Sequence, residues 1–349
     1  MVSENEKKTR PASTKVKTHP YPWYSPRMWH GLQMTNYWRL LAENRFRIHP
    51  FRWPMTGAIA GFSVFNSAMT GLTRGVLGRR IDAVKVDPPP LFIIGHWRCG
   101  TTYLHELMSL DDRFLSPNTY QCFVPQHFLL SEAVITRVFW FVIPRKRPMD
   151  NVAMGWQRPQ EDEFALLAMG LPSPYRRMAF PNHPSVDMNY LDMSNLSPQE
   201  LAQWEQGLMR FCQCLMLRKS KQLILKSPTH TGRVGFLARM FPGAKFIHIT
   251  RHPYSVFPST VRLWKSLDLV QGFQIPRHRG LEEYVHESFV RMYGGFESQR
   301  SELAPENICD IKYEDMVAHP EQVLRTIYEQ LDLGEFEPVI TNPGSTAGI

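Results

Sequence analysis

The stretch LFIIGHWRCGTTYLHEL, Leu91 to Leu107, restricts this chain more than any other part of it. An apolar run ends in Gly95, HWRC follows, and after Gly100 come two threonines and apolar residues at helical spacing, namely Tyr103, Leu104, Leu107, Met108 and Leu110. The pattern predicts a short buried strand, a tight loop and a helix. A GxxxxGTT turn between strand and helix aims backbone N–H groups and a helix N-terminus at one spot, where an anion is stabilised. A nucleotide triphosphatase places Lys and then Ser or Thr after the second glycine, the lysine for the outer phosphates and the hydroxyl for magnesium. Here Thr101 holds the lysine place, and the cation, Arg98, lies inside the loop.

The remainder from Val84 onward alternates strand and helix patterns. KQLILKSP and GAKFIHITRHP each hold a short β-rich run, with THTGRVGFLARMFP as a helix-length connection between them. NICDIKY and EDMVAHPEQVLRTIYEQLDL add another strand and helix. Ser197, Pro198 and Glu200 form a capping box ahead of the helix pattern that runs to Arg218. This order predicts an α/β chain, a P-loop-type three-layer fold whose central, mainly parallel sheet is flanked by helices. No predicted strand ends in the acidic residue that would help bind magnesium: LILK ends in lysine and FIHIT runs into Arg251.

Residues 1–82 differ in character and are expected to form an N-terminal helical extension ahead of a main domain over 83–349. Residues 1–20 are polar and basic, the composition of a flexible tail. Between Trp23 and Trp53 aromatic residues mix with arginines, as they do at a membrane interface, though the same rings would also suit the wall of an acceptor pocket. Residues 55–73 then carry no charge, but six of them are Thr, Ser or Asn and three are Gly. Such a run suits an interfacial or re-entrant helix or a buried helix better than a membrane span. The net charge of +8 calls for an anionic contact, either nucleic acid, an acidic membrane surface or a phosphorylated small molecule. Five cysteines at irregular spacing, Cys212 and Cys214 among them, read as reduced structural thiols in a cytoplasmic protein.

GHWRCGTTYL resembles the loop around the 5′-phosphosulfate in the sulfotransferases that use 3′-phosphoadenosine 5′-phosphosulfate (PAPS). FIHITRHPYSVFPST resembles their 3′-phosphate site, in which a strand-end arginine is followed eight residues later by a serine, here Arg251 and Ser259. The likeness spans about Pro88 to Leu333 and is nearest to the bacterial branch akin to tyrosylprotein and carbohydrate sulfotransferases. LILKSPTHT matches the segment whose lysine approaches the transferring sulfuryl group, which nominates Lys226, and IKYEDMVAHP matches a segment near the adenosine, which nominates Tyr313.

What the resemblance implies is an enzyme that moves a sulfuryl group from PAPS to a hydroxyl, less readily an amine, by in-line transfer without a metal. Its partners would be that nucleotide and an unidentified acceptor, not nucleic acid, with membrane contact through residues 20–80 as one reading and the cytoplasmic membrane face as its location. Sulfuryl transfer concentrates negative charge on equatorial oxygens and the leaving phosphate, so fixed cations are the main requirement. Arg98 would meet the 5′-phosphate and Lys226 the sulfuryl oxygens. Cys99, Gly100, Thr101 and Thr102 would line the donor loop, and Arg251 and Ser259 would hold the 3′-phosphate, for which the forked guanidinium is suited. Cys99 departs from the family's usual serine; it is a weaker donor, and beside arginine it could become a redox-sensitive thiol.

The general base is less legible. Glu161, Asp162 and Glu163 open a predicted helix, where they either favour the helix dipole and pair with Arg158 or turn one carboxylate to the sulfuryl group. Glu161 is ranked first, then Glu163, then His127; Thr119 and Gln121 stand where a carboxylate is expected and cannot serve. His96 reads as packing beside the nucleotide or as a catalytic contributor, Lys265 as a solvated lysine or one facing the nucleotide, and His105, Glu106 and His230 as local structure. After LDLGEFEP the chain runs VITNPGSTAGI, without the basic, aromatic helical segment with which related enzymes continue, which puts part of the nucleotide or acceptor site in doubt. Two other classes stay open: a P-loop kinase or hydrolase, requiring magnesium-dependent ATP turnover, and a membrane-associated nucleotide-binding protein without transfer activity.

Overall fold

The computed structural model describes residues 21–144, 146–147 and 152–336. The expectations for residues 1–20 and for VITNPGSTAGI lie outside the described residues. Two helices come first, α1 (Met34–Glu43) and α2 (Trp53–Asp82). The strand and helix pattern then begins with β1 (Leu91–Ile94), α3 (Thr101–Met108) and the short β2 (Phe114–Leu115). Helices α4 (Thr119–Phe123), α5 (Phe128–Val138), α6 (Asp162–Ala168) and α7 (Pro198–Arg218) follow. The chain continues with β3 (Gln222–Lys226), α8 (Val234–Met240), β4 (Lys245–Thr250), α9 (Pro253–Gln271) and α10 (Leu281–Gln299). It closes with β5 (Ile308–Lys312), α11 (Tyr313–Ala318) and α12 (Pro320–Gln330). Pro320, which cannot continue the hydrogen bonding of α11, splits the single helix expected there into two.

The five strands are parallel in the order β2-β3-β1-β4-β5. β1 lies at the centre, with Phe92 opposite Leu225 of β3 and Phe246 of β4. All four β1 residues are buried because helices cover both faces of the sheet. Phe92, Leu225 and Phe246 pack with Trp204, Leu208 and Phe211 of α7, and Leu91, Ile93 and Ile247 pack with Leu104 and Met108 of α3 and Ile327 of α12. The N-terminal elements join a third cluster, in which Trp29, Tyr37, Leu41 and Ile59 meet Trp97, Tyr175 and Trp264. They are tied there by hydrogen bonds from Arg27 Nε to the Val270 carbonyl (2.8 Å) and from Trp29 Nε1 to that of Gln271 (2.6 Å).

The uncharged run 55–73 is part of the 30-residue helix α2. No helix among the described residues is long and apolar enough to cross a membrane. Four of the six Thr, Ser and Asn residues that weaken it as a span face the protein: Thr56, Ser63, Asn66 and Thr73 are buried, and Asn66 Nδ2 donates to the carbonyls of His30 (2.7 Å) and Leu32 (3.0 Å).

Candidate active site

A parallel sheet delivers its loops to the C-terminal ends of the strands, where neighbouring connections diverge and leave a crevice. Here the ends of β1, β3, β4 and β5 bring together Gly95 to Thr102, Lys226, Arg251 and Tyr313. Gly95 has φ +141°, and a Cβ there would stand 2.4 Å from the Ile249 carbonyl oxygen. Gly100 has φ +99°, and its Cβ would meet the Tyr313 ring at 2.3 Å. Both positions therefore need glycine, because the loop crosses close under its neighbours in a left-handed conformation. Arg98 also has a positive φ, +70°, which for a residue with a side chain costs about 1 kcal/mol and points to a conformation imposed by the surrounding loop.

Around this turn the polar groups converge. Arg98 Nε donates to Ser259 Oγ at 3.0 Å, and Arg251 Nη1 donates to the Arg98 carbonyl at 3.1 Å. The Arg251 guanidinium lies 4.1 Å from the centre of the Tyr313 ring, a cation–π contact that fixes its fork. The two motifs are thus one cluster, although about 150 residues separate them in sequence. It opens on a cavity of about 260 Å³ lined by Arg98, Thr102, Glu161, Tyr175, Arg251 and Tyr313, among others.

Opposite the loop sits a buried ion pair. Lys226 Nζ is 2.8 Å from Glu161 Oε1 and 3.5 Å from Thr102 Oγ1. Tyr175 donates its hydroxyl to Glu161 Oε2 (2.8 Å) and accepts from Trp97 Nε1 (2.7 Å). Burial, then the charge of Glu161, pushes the Tyr175 hydroxyl well above its ordinary range, so it stays a donor. Glu161 is thereby held at both oxygens while facing the cavity. A carboxylate and two guanidiniums around one small cavity, with an ammonium buried behind the carboxylate, can hold an anionic group and take a proton from a neighbouring nucleophile.

A sulfotransferase family model matches residues 89–338. The omega-hydroxy-beta-dihydromenaquinone-9 sulfotransferases Stf3 of Mycobacterium bovis and Mycobacterium tuberculosis are each 42% identical over 315 residues, which is 90% of this chain and 81% of theirs. The chain is a sulfotransferase. Its fold is also that of two solved sulfotransferases, STF9 of Mycobacterium avium (TM-score 0.63, 18% identity, 82% of this chain and 74% of that one) and STF1 of Mycobacterium tuberculosis (TM-score 0.62, 16% identity, 91% and 88%).

Within the sulfotransferase, Arg98, Gly100, Thr101, Thr102, Glu161, Arg251 and Tyr313 line one cavity; Lys226 lies buried behind it through its contacts with Glu161 and Thr102, and Ser259 touches it through Arg98. Glu163 is not among them. It turns into the core, where Arg233 donates to Oε2 (2.7 Å) and Ser173 to Oε1 (2.6 Å), so it does not face a transferring group. Burial pushes its carboxyl up, but Arg233 more than offsets this and leaves it below the usual carboxylate range. Asp162 pairs with His230 Nε2 at 2.6 Å, and Arg158, the expected partner of these acids, is exposed. The three consecutive acids thus meet Lys226, His230 and Arg233, three basic side chains of a single segment.

The remaining candidates lie elsewhere. His127 is in a second cavity, with Nδ1 2.9 Å from Ser131 Oγ and Nε2 3.2 Å from Asn66 Oδ1. Thr119 and Gln121 are buried in α4, where Gln121 Nε2 donates to Glu132. His96 and His105 are buried; burial holds His96 at about 4, and burial with the charge of Lys226 holds His105 at about 3, so both are neutral. Cys99 is buried too, and burial outweighs the nearby Arg251 and pushes its thiol up to about 12, against the redox-sensitive reading. Lys265 is exposed and Glu106 half-buried. The aromatic segment divides: Tyr21 and Met28 line the reaction cavity, Trp29 and Tyr37 are core, and Trp23, Trp38 and Trp53 are exposed. Tyr175 and Trp97 were missed by sequence reasoning, since nothing around PSPYRRM marks a tyrosine that will reach a carboxylate.

Proposed function

We propose that the sulfotransferase takes its sulfuryl group from PAPS and passes it to a hydroxyl, with Glu161 as the base. The observation that carries this is Glu161, which lines the same cavity as Thr102 and the arginine-bearing loop and is paired from behind with Lys226, itself 3.5 Å from Thr102 Oγ1. The donor supplies a sulfuryl group on a good leaving phosphate. Arg98 and the N–H groups at the start of α3 suit its 5′ end, and Arg251 and Ser259 suit the 3′-phosphate that distinguishes it from ATP. The tight approach of Gly100 to Tyr313 supports a narrow cradle in which a nucleotide lies against the backbone.

Glu161 accepts the proton of the attacking hydroxyl as the new S–O bond forms and the bond to the leaving phosphate breaks. Lys226 offsets the negative charge on the sulfuryl oxygens, and Tyr175 keeps the carboxylate turned to the cavity. The hydroxyl named for the Stf3 relatives is on a menaquinone derivative, which supports a lipid alcohol as the acceptor class. Calorimetric titration with 3′-phosphoadenosine 5′-phosphate tests the donor site: the expected result is micromolar binding in the presence of a chelator, reduced about a hundredfold in Arg251→Ala. No binding by the wild-type enzyme, or equal binding by the variant, would overturn the assignment.

A further inference from the structure

Only Ile59 and Ile81 of α2 are apolar side chains fully buried against the protein; most of its large apolar residues point outward. Its inward side carries Thr56, Ser63, Asn66 and Thr73, while Phe65, Leu72 and Val76 on the outward side are 43%, 53% and 60% exposed. No residue from Trp53 to Thr73 is charged, and arginines flank the run on both sides. Arg39, Arg45 and Arg47 stand exposed with Trp38 and Phe46 at one end, and Arg79 and Arg80 at the other. An apolar strip bordered by exposed aromatic rings and cations is the pattern of a surface that rests in the headgroup region of an anionic bilayer. A second copy of the chain is a poorer partner, because pairing two such faces in either orientation sets arginines against arginines.

Beneath this face lies an apolar cavity of about 290 Å³, lined by Phe62, Phe65, Tyr120, Phe123, Ile135 and Phe139 among others. Phe62, Phe65 and Phe139 are exposed as well, so the cavity is rimmed by the outward surface. At its inner end Phe123 is also a wall of the reaction cavity. A chain entering past Phe62 and Phe65 would thus run toward the compartment that holds Glu161.

We propose that this cavity receives the hydrocarbon chain of the acceptor, and that the outward face of α2 sits on the anionic bilayer from which the chain is drawn. The assignment deepens the sulfotransfer reading by giving its hydroxyl a long-chain lipid carrier, and it rests on that reading for the hydroxyl alone. Its test uses binding and labelling, so a failure of transfer chemistry leaves the readouts unaffected.

Wild-type enzyme should co-sediment with vesicles of phosphatidylglycerol and phosphatidylcholine and weakly with phosphatidylcholine alone. Leu72→Asp/Val76→Asp should lower the anionic-vesicle partition at least about tenfold while nucleotide affinity stays constant. A photoactivatable long-chain primary alcohol should label wild-type peptides from α2, α5 or residues 139–142, and Ile135→Trp, which fills the cavity, should suppress that labelling. Equal sedimentation of the double variant, labelling confined to other peptides, or a dimer that the double variant returns to monomer would each overturn the proposal.

Discussion

Replacing Glu161 by glutamine tests the reaction site at its centre. Glu161 accepts from two donors, Lys226 Nζ at 2.8 Å and the Tyr175 hydroxyl at 2.8 Å. Glutamine has one oxygen to offer, so either the amide NH₂ faces the lysine or it faces a tyrosine oxygen that already accepts from Trp97 Nε1. One hydrogen bond is lost in either orientation, and Lys226, 2% exposed, keeps its charge without a countercharge. Breaking a buried pair from one side costs about 3–5 kcal/mol, and the retained hydrogen bond places this variant near the lower figure. The effect on rate has a separate origin: losing a general base lowers kcat by about 10²–10⁴, or roughly 3–5 kcal/mol of barrier. Turnover would be followed with radiolabelled PAPS and a long-chain alcohol, stability by urea unfolding, and 3′-phosphoadenosine 5′-phosphate affinity by calorimetry. The expected signature is a large fall in kcat with nucleotide affinity within about threefold. A variant that kept kcat within about threefold of wild type would refute Glu161 as the base.

Glu163→Gln should behave differently, because Glu163 meets Arg233 in the core and not the cavity: a loss of about 3–5 kcal/mol in urea unfolding is expected, with nucleotide affinity retained by the folded fraction. Gly100→Ala would push the Tyr313 ring from under Arg251, and calorimetry should show nucleotide affinity reduced at least about tenfold. Acid should destabilise the enzyme well above the carboxylate range. Burial lowers His96 and His127 to about 4 and, with Lys226, His105 to about 3, against an ordinary 6.5. Groups whose folded pKa is depressed contribute stability that is present above the unfolded pKa and lost as pH falls below it. Between pH 7.5 and 5.5 the three histidines together should remove roughly 3–4 kcal/mol, read from urea midpoints at the two pH values; equal midpoints would contradict their burial as neutral rings.

The sequence announced those parts of the site that are local or keep a fixed spacing. The strand, loop and helix from Leu91 to Met108 follow from apolar runs and two glycines, and the interval from Arg251 to Ser259 places the first just after β4 and the second in the second turn of α9. The pairings among distant segments were not legible. Three adjacent acids look alike in sequence, yet Glu161 turns to a cavity while Asp162 and Glu163 turn to the core, because the crossing of α6 over the segment from Lys226 to Arg233 decides which side chain each one meets. Tyr175 gave no signal, since its contact with Glu161 depends on a 3-10 turn, Pro174–Ala179, closing back over the head of α6. The polarity of α2 was half legible: composition gave the uncharged run, but which side would face the protein depended on Asn66 finding the carbonyls of His30 and Leu32.

The central place of β1 in the sheet has a consequence for how the chain comes to be folded. Leu91 pairs with Ile224 on one side and Lys245 on the other, so β1 leaves the ribosome more than a hundred residues before either neighbour. At common synthesis rates that interval lasts on the order of ten seconds, far longer than local helices need to form. Throughout it, LFII, the strand that ends fully buried, has no edge to pair with and must be kept from pairing with other chains. The phosphate-type loop that follows β1 is therefore early in synthesis and late in assembly, and sulfotransfer can begin only once the chain beyond β5 has arrived.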